Sequence, residues 1–127
     1  MHDEELYRQN ILDHYKNPRN KREMADPTLH GRGVNASCGD KIDFYIKLDG
    51  DKVSDVSFAG DGCAVSVAAS SMLTEKLKGM TANDLRVISP GDIYNMLGVK
   101  ISPGRVNCAL LAYEAMNHYL LGHRMSK

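Results

Sequence analysis

The sequence has no excess of charge of either sign and no long apolar run. Sixteen Lys and Arg residues balance sixteen Asp and Glu residues in 127, so net charge does not attract the chain to nucleic acid or to an acidic membrane surface. The longest apolar stretches, residues 63–69 and 108–112, are far shorter than the ~20 residues of a membrane-spanning helix. The acidic N-terminus lacks the apolar segment of a signal peptide. We therefore expect a cytoplasmic protein that binds neither nucleic acid nor membrane.

Cysteine is scarce as well, with only three residues, Cys38, Cys63 and Cys108. An odd number would leave one thiol out of a disulfide framework, and a reducing cytosol disfavours disulfides in any case. Three readings stay open for these residues, namely buried inert thiols, metal ligands and reactive thiols. Free cysteine is among the most buried residue types, so an inert core position is a full alternative for Cys108.

The order of apolar patterns predicts an α+β fold in a single domain, residues 1–127. We expect an N-terminal helix, a small antiparallel three-stranded sheet and then several helices packed on one face. Residues 17–33, with their prolines, glycines and charges, predict an irregular loop. Strand patterns begin at Val34, and period-two alternation on either side of Asp49-Gly50-Asp51 predicts a hairpin. The predicted helices cover residues 3–16, 64–78, 81–87, 89–98 and 102–121. Thr81, Ser89 and Ser102 are the candidate N-cap residues of the last three, and Gly98 is expected to close the fourth.

Cys63 stands at the junction between the second hairpin strand and the helix that follows it. Gly60 and Gly62 precede it, and glycine allows the chain to turn sharply there. A thiol at a helix N-terminus is favoured as the thiolate, the form that binds metals and attacks sulfur. In an antiparallel pair the start of one strand meets the end of the other, so we expect Cys38, Asp40 and Cys63 to lie together. Cys108 joins them only if the last helix begins over that end of the sheet, which the sequence permits without requiring it.

Three segments carry a resemblance to a known family, and they occur in the family's order and at about its spacing. The chain resembles the iron–sulfur cluster assembly scaffold family of the IscU, SufU and NifU N-terminal kind. The N-terminal residues 6–20 are similar to that family as well, so the resemblance covers nearly the whole chain. The three segments are Cys38-Gly39-Asp40, residues 60–71 from Gly60 to Ser71, and Arg105-Val106-Asn107-Cys108 with the apolar residues after it.

The resemblance implies a scaffold and carrier without enzymatic turnover of its own. A cysteine desulfurase supplies sulfur as a persulfide, iron is added, and a [2Fe–2S] cluster forms on Cys38, Cys63 and Cys108 before it passes to acceptor apoproteins. Asp40 matches the family's aspartate, which tunes cluster lability and often serves as a ligand. Zinc is the alternative occupant of the same residues. By analogy with IscU the first sulfur acceptor is Cys108, and by analogy with SufU it is Cys38.

Two departures from the family pattern bear on function. Asn107 replaces the histidine that IscU-type members carry before the third cysteine, which puts more weight on Asp40 as the fourth ligand. Residues 99–103 replace the IscU-type chaperone-recognition segment. A zinc-bound sulfur acceptor that stimulates a desulfurase is therefore a second hypothesis, and a structural zinc domain is a third. Arg105, about one turn before Cys108, is a candidate for stabilising a thiolate or persulfide. The oligomeric state stays open, with a cluster-bound homodimer as one alternative.

Overall fold

The computed structural model describes residues 2–36 and 39–117, with side chains from residue 4 onward. Its elements follow the predicted α+β order, and within the described residues no helix is long and apolar enough to cross a membrane. The helices are α1 His2–Lys16, α2 Ala64–Leu77, α3 Ala82–Arg86, α4 Pro90–Leu97 and α5 Val106–Ala109. The strands are β1 Leu29–Asn35, β2 Asp40–Asp49 and β3 Lys52–Asp61.

The three strands form an antiparallel sheet in the order β1-β2-β3. The predicted hairpin between β2 and β3 is confirmed, since Asp49 pairs with Lys52 at the turn and Lys41 pairs with Asp61 at the far end. The register shifts by one residue between Lys47 and Leu48. The start of β2 and the end of β3 therefore meet at one end of the sheet, as the hairpin geometry requires.

The prediction of a loop through residue 33 is wrong, because residues 29–33 already belong to β1. Their sequence, Leu-His-Gly-Arg-Gly, shows no apolar alternation, so it carries no strand signal. Gly33 has a packing reason instead. A Cβ atom on Gly33 would lie 2.6 Å from the carbonyl oxygen of Leu111. Only glycine lets β1 come this close to the C-terminal helical segment.

One face of the sheet and the surrounding helices bury a continuous apolar core around α2. Helix α2 is enclosed on nearly every side, and its residues from Ser66 to Thr74 are all uncharged and buried. It contacts β3, α1, α4 and α5, as the prediction of helices over the sheet required. Each fully buried large aliphatic or aromatic side chain contributes about 1.5–3 kcal/mol. The largest of these side chains include Ile42, Phe44, Ile46, Phe58, Leu73, Leu77, Leu85, Ile93 and Leu97.

A polar network fastens α1 and the segment after it to α2. The Nδ1 atom of His14 lies 2.7 Å from the hydroxyl of Ser71, and that hydroxyl also accepts a 2.8 Å bond from the backbone N–H of Arg19. Asn20 donates through Nδ2 to the hydroxyl of Thr74 at 2.9 Å. Ile11 packs against the core. Ile11 is thus used inside the chain, whereas the large apolar residues Leu12 and Tyr15 of α1 are exposed.

The helix ends follow the sequence signals at α3 and α4 but not at the last predicted helix. Thr81 and Ser89 form complete capping boxes, and Gly98 closes α4 in the left-handed conformation, as predicted. The last helix is not continuous from Pro103. A 3₁₀ turn at Pro103–Arg105 precedes α5, the φ and ψ of Leu110 (−97° and 2°) interrupt the ladder, and residues 111–117 are helical again. The predicted end at residue 121 lies outside the described residues.

Candidate metal centre

Three of the four predicted site residues meet where the hairpin ends and α2 begins. Asp40 is the first residue of β2, Cys63 is the N-cap residue of α2, and Cys108 lies on α5. One carboxylate oxygen of Asp40 and the two sulfur atoms all lie within 4.8 Å of one another. The α5 helix does therefore begin over this end of the sheet, which the sequence left open. The fourth predicted residue, Cys38, lies outside the described residues.

The site is mostly shielded from solvent. Asp40 is 4% exposed and Cys108 is 0% exposed, whereas Cys63 is half-buried. A buried carboxylate is costly unless hydrogen bonds compensate for its lost hydration, and here the hydroxyl of Ser66 donates to Oδ2 of Asp40 at 2.8 Å. The amide of Asn35 donates to the sulfur of Cys108 at 3.7 Å. Polar groups from β1 and α2 thus hold two of the three side chains in place.

The two thiols differ in acidity. Burial raises the pKa of the Cys63 thiol, but its polar contacts with the side chain and backbone N–H of Ser66, with the Cys108 thiol and with the backbone N–H of Val65 together outweigh this effect, so the pKa lies below its ordinary value. Burial first, and then the neighbouring Cys63, raise the pKa of Cys108 to about 12. A cation bound here would offset the repulsion between two thiolates and would release protons as it bound.

Arg105 brings positive charge to both thiols. It ends the 3₁₀ turn before α5 and is exposed. The pKa of the guanidinium lies further above its usual range, and the largest cause is its hydrogen bond to Cys63. The negative charge of Cys63 and the interactions with Cys108 act in the same direction. A cation of this kind stabilises thiolate character. The arginine that the sequence marked, three residues before Cys108, therefore lies at the site.

The donor set fits zinc and iron alike. Thiolates are ligands of zinc and of iron–sulfur clusters, and a carboxylate oxygen is an accepted ligand of zinc.

The sequence analysis did not identify two side chains of this site, Ser66 and Asn35. Ser66 was visible as the one polar residue in the apolar run 63–69, and its spacing of three from Cys63 places it one helical turn along. Asn35 carried no such signal.

Several known proteins are similar to this chain in sequence and in fold. The zinc-dependent sulfurtransferase SufU of Bacillus subtilis (strain 168) is 39% identical over 128 residues, which cover 87% of this chain and 86% of that protein. The iron-sulfur cluster assembly scaffold protein IscU 1 of Archaeoglobus fulgidus is 31% identical over 118 residues, covering 93% of this chain and 76% of that protein. The crystal structure of FiSufU from Fervidobacterium islandicum AW-1 superposes with a TM-score of 0.76 at 29% identity, covering 88% of this chain and 94% of that one.

The NifU-like N-terminal domain family matches residues 6–125, which is nearly the whole chain. The resemblance that the cysteine segments carried is thereby confirmed. The chain belongs to the NifU-like N-terminal domain family.

Proposed function

We propose that this protein is a scaffold on which a [2Fe–2S] cluster is assembled and from which the cluster passes to acceptor apoproteins. A cysteine desulfurase supplies the sulfur at the persulfide level, a thiol reductant reduces it to the sulfide of the cluster, and iron is added. The observation that carries the proposal is the convergence of Asp40, Cys63 and Cys108, whose ligand atoms lie within 4.8 Å of one another. The name of the similar IscU 1 protein, a cluster assembly scaffold, supports the same function.

In this proposal the cluster is cargo, and the side chains are its temporary ligands. The sulfurs of Cys63 and Cys108 bind iron as thiolates, and Cys38 supplies a third thiolate. Asp40 supplies an oxygen, which is a weaker ligand for iron in a cluster than a thiolate is, so the cluster is easier to release. Arg105 offsets negative charge as the thiolates form. The protein accepts sulfur as a persulfide, with Cys108 and Cys38 as candidate acceptors, and has no turnover of its own.

A second candidate is a zinc-bound sulfur acceptor that stimulates the desulfurase. The specific observation in its favour is the 39% identity to a relative named as a zinc-dependent sulfurtransferase. The chemistry of two sulfurs and one oxygen also suits zinc in a tetrahedral site. In this function zinc would hold the thiols in place, and sulfur rather than a cluster would be passed on.

Anaerobic reconstitution with iron, cysteine and a cysteine desulfurase separates the two candidates. The scaffold function predicts roughly two irons and two sulfides per site, the content of a [2Fe–2S] cluster. Its thiolate-to-iron absorption should be lost in Cys63→Ser and Cys108→Ser and kept in Ser70→Ala, a buried control in α2. Tightly held zinc that excludes iron, together with raised desulfurase turnover, would favour the sulfur acceptor. Absence of both cluster and stimulation would contradict both functions.

The homodimer stays part of this proposal. A cluster bound at the half-buried Cys63 is partly open to solvent, and a second copy could cover it. Size-exclusion chromatography before and after reconstitution tests this, since a cluster-dependent dimer should appear only in the loaded protein.

A further inference from the structure

The Ser66 side chain stands between two of the candidate ligands. It is fully buried, at 0% exposure. Its hydroxyl lies 2.8 Å from Oδ2 of Asp40 and 3.5 Å from the sulfur of Cys63. No other hydroxyl among the described side chains has a hydrogen bond to Asp40 or Cys63 in this structure. Ser66 thus touches the carboxylate and one thiol at once.

The backbone near Ser66 is built to allow this contact. A Cβ atom on Gly62 would lie 2.7 Å from Cβ of Ser66 and 3.3 Å from Cγ of Asp40. Any larger residue at position 62 would push α2 away from the start of β2. The close approach of Ser66 to Asp40 therefore depends on a glycine directly before Cys63.

A serine hydroxyl has one proton to donate, and the geometry assigns that proton to Asp40. The 2.8 Å distance to Oδ2 is typical of an O–H···O hydrogen bond, whereas 3.5 Å to sulfur is a weaker contact. Ser66 occupies one carboxylate oxygen and fixes the rotation of the group. The orientation of the carboxylate towards a bound ion therefore depends on this hydrogen bond.

We propose that Ser66 is a positioning residue that holds Oδ2 of Asp40 and thereby orients this carboxylate as a metal ligand beside the two thiols. This inference rests on the proposed function, because it concerns the same metal site. Groups that orient metal ligands through hydrogen bonds typically change metal affinity by about 10–100-fold when they are removed. Ser66 does not itself touch the ion in this proposal.

Ser70 offers a matched control in the same helix. It is also 0% exposed, and its hydroxyl donates to the backbone carbonyl of Ser66 at 2.8 Å rather than to a site residue. Ser66→Ala and Ser70→Ala thus remove the same chemical group from neighbouring turns of α2. An effect of merely losing a buried hydroxyl should appear in both variants.

Cobalt(II) titration of the metal-free full-length chain tests the proposal, because cobalt absorption reports the number and type of ligands. Ser66→Ala should bind cobalt about 10–100-fold more weakly than the wild type, with a spectrum shifted towards that of Asp40→Ala. Ser70→Ala should match the wild type in affinity and spectrum. The double variant of Ser66→Ala with Asp40→Ala should bind no more weakly than Asp40→Ala alone, since Ser66 acts through Asp40. Thermal unfolding without metal checks that all variants fold.

Three outcomes would overturn this role. Ser66→Ala with wild-type cobalt affinity and spectrum would show that Asp40 is held without it. A double variant weaker than Asp40→Ala by the full Ser66→Ala factor would show that Ser66 acts independently of the carboxylate. A wild-type chain that takes up no cobalt would show that Asp40 and the two thiols form no metal site, and the role of Ser66 would fall with it, whereas the content of iron and sulfide after reconstitution tests the proposed function separately.

Discussion

Replacing Gly60 by alanine should destabilise the protein more than replacing Gly50, the glycine at the turn of the hairpin. Gly60 lies in β3 opposite Ile42, three residues before Cys63. Its φ of +105° lies in the region that L side chains rarely adopt, and a Cβ atom there would overlap the carbonyl oxygen of Lys41. Lys41 follows Asp40 directly, so relief of this overlap would displace the strand that presents the carboxylate.

The expected loss can be assembled from two separate costs. The left-handed backbone conformation costs an alanine about 1–2 kcal/mol, and overpacking against a neighbour that cannot easily move costs about 1–3 kcal/mol. The reduced entropy of the unfolded chain returns roughly 0.5 kcal/mol. We therefore expect Gly60→Ala to lower the free energy of unfolding by about 2–4 kcal/mol.

Gly50→Ala separates these two costs. Gly50 also has a positive φ, +63°, but a Cβ atom there would have nothing within 4 Å. Gly50→Ala should lower the free energy of unfolding by only about 1 kcal/mol, which is the conformational cost minus the gain from the reduced entropy of the unfolded chain. Urea unfolding of the metal-free proteins measures both values, and zinc affinity should fall in Gly60→Ala alone. Equal losses in the two variants would refute the argument that Lys41 crowds position 60.

Two further predictions concern stability away from the metal centre. Burial first, and then the charge of Arg19, lower the pKa of the His14 imidazole, although Glu75 and Asp13 act in the opposite direction. As the pH falls through 6.5, His14 of the unfolded chain takes up a proton while His14 of the folded chain does not. The stability that is present above that pH is therefore lost progressively down to the pKa of the folded state. The urea midpoint should fall with pH in the wild type and fall less in His14→Gln, and parallel curves for the two proteins would contradict this. Ser89→Ala removes the hydroxyl that caps α4 and should cost about 1 kcal/mol in the same unfolding assay, whereas an unchanged value would show that the cap adds nothing.

Local signals of the sequence predicted the parts of the fold that depend on neighbours along the chain. Asp49-Gly50-Asp51 marked the turn of the hairpin, and the capping residues Thr81 and Ser89 marked the starts of α3 and α4. In each case the deciding interaction lies within a few residues. The hairpin then brought Asp40 next to Cys63 without further information.

The sequence failed where the deciding neighbour is distant. Gly33 belongs to a strand because Leu111 lies against it, and nothing within ten residues of Gly33 reveals that contact. Ser66 was visible as a polar interruption of an apolar helix, but its bond to Asp40 spans 26 residues. The two glycines before Cys63 also differ in a way that the sequence could not show. Gly60 is needed for its positive φ, whereas Gly62 is needed for space beside Ser66.

The unequal burial of the two cysteines bears on how sulfur enters the site. Cys63 is half-buried, whereas Cys108 is 0% exposed and has the higher pKa of the two. A persulfide donor must bring its sulfur into contact with the acceptor sulfur, and the acceptor must be a thiolate. Cys108 meets neither condition in this arrangement. If Cys108 is the first acceptor, as the analogy with IscU implies, the turn that carries Arg105 and α5 has to move away from Asp40 and Cys63 when the desulfurase docks. Because that turn is short and Arg105 is exposed, its displacement would open the site without unfolding the sheet or α2.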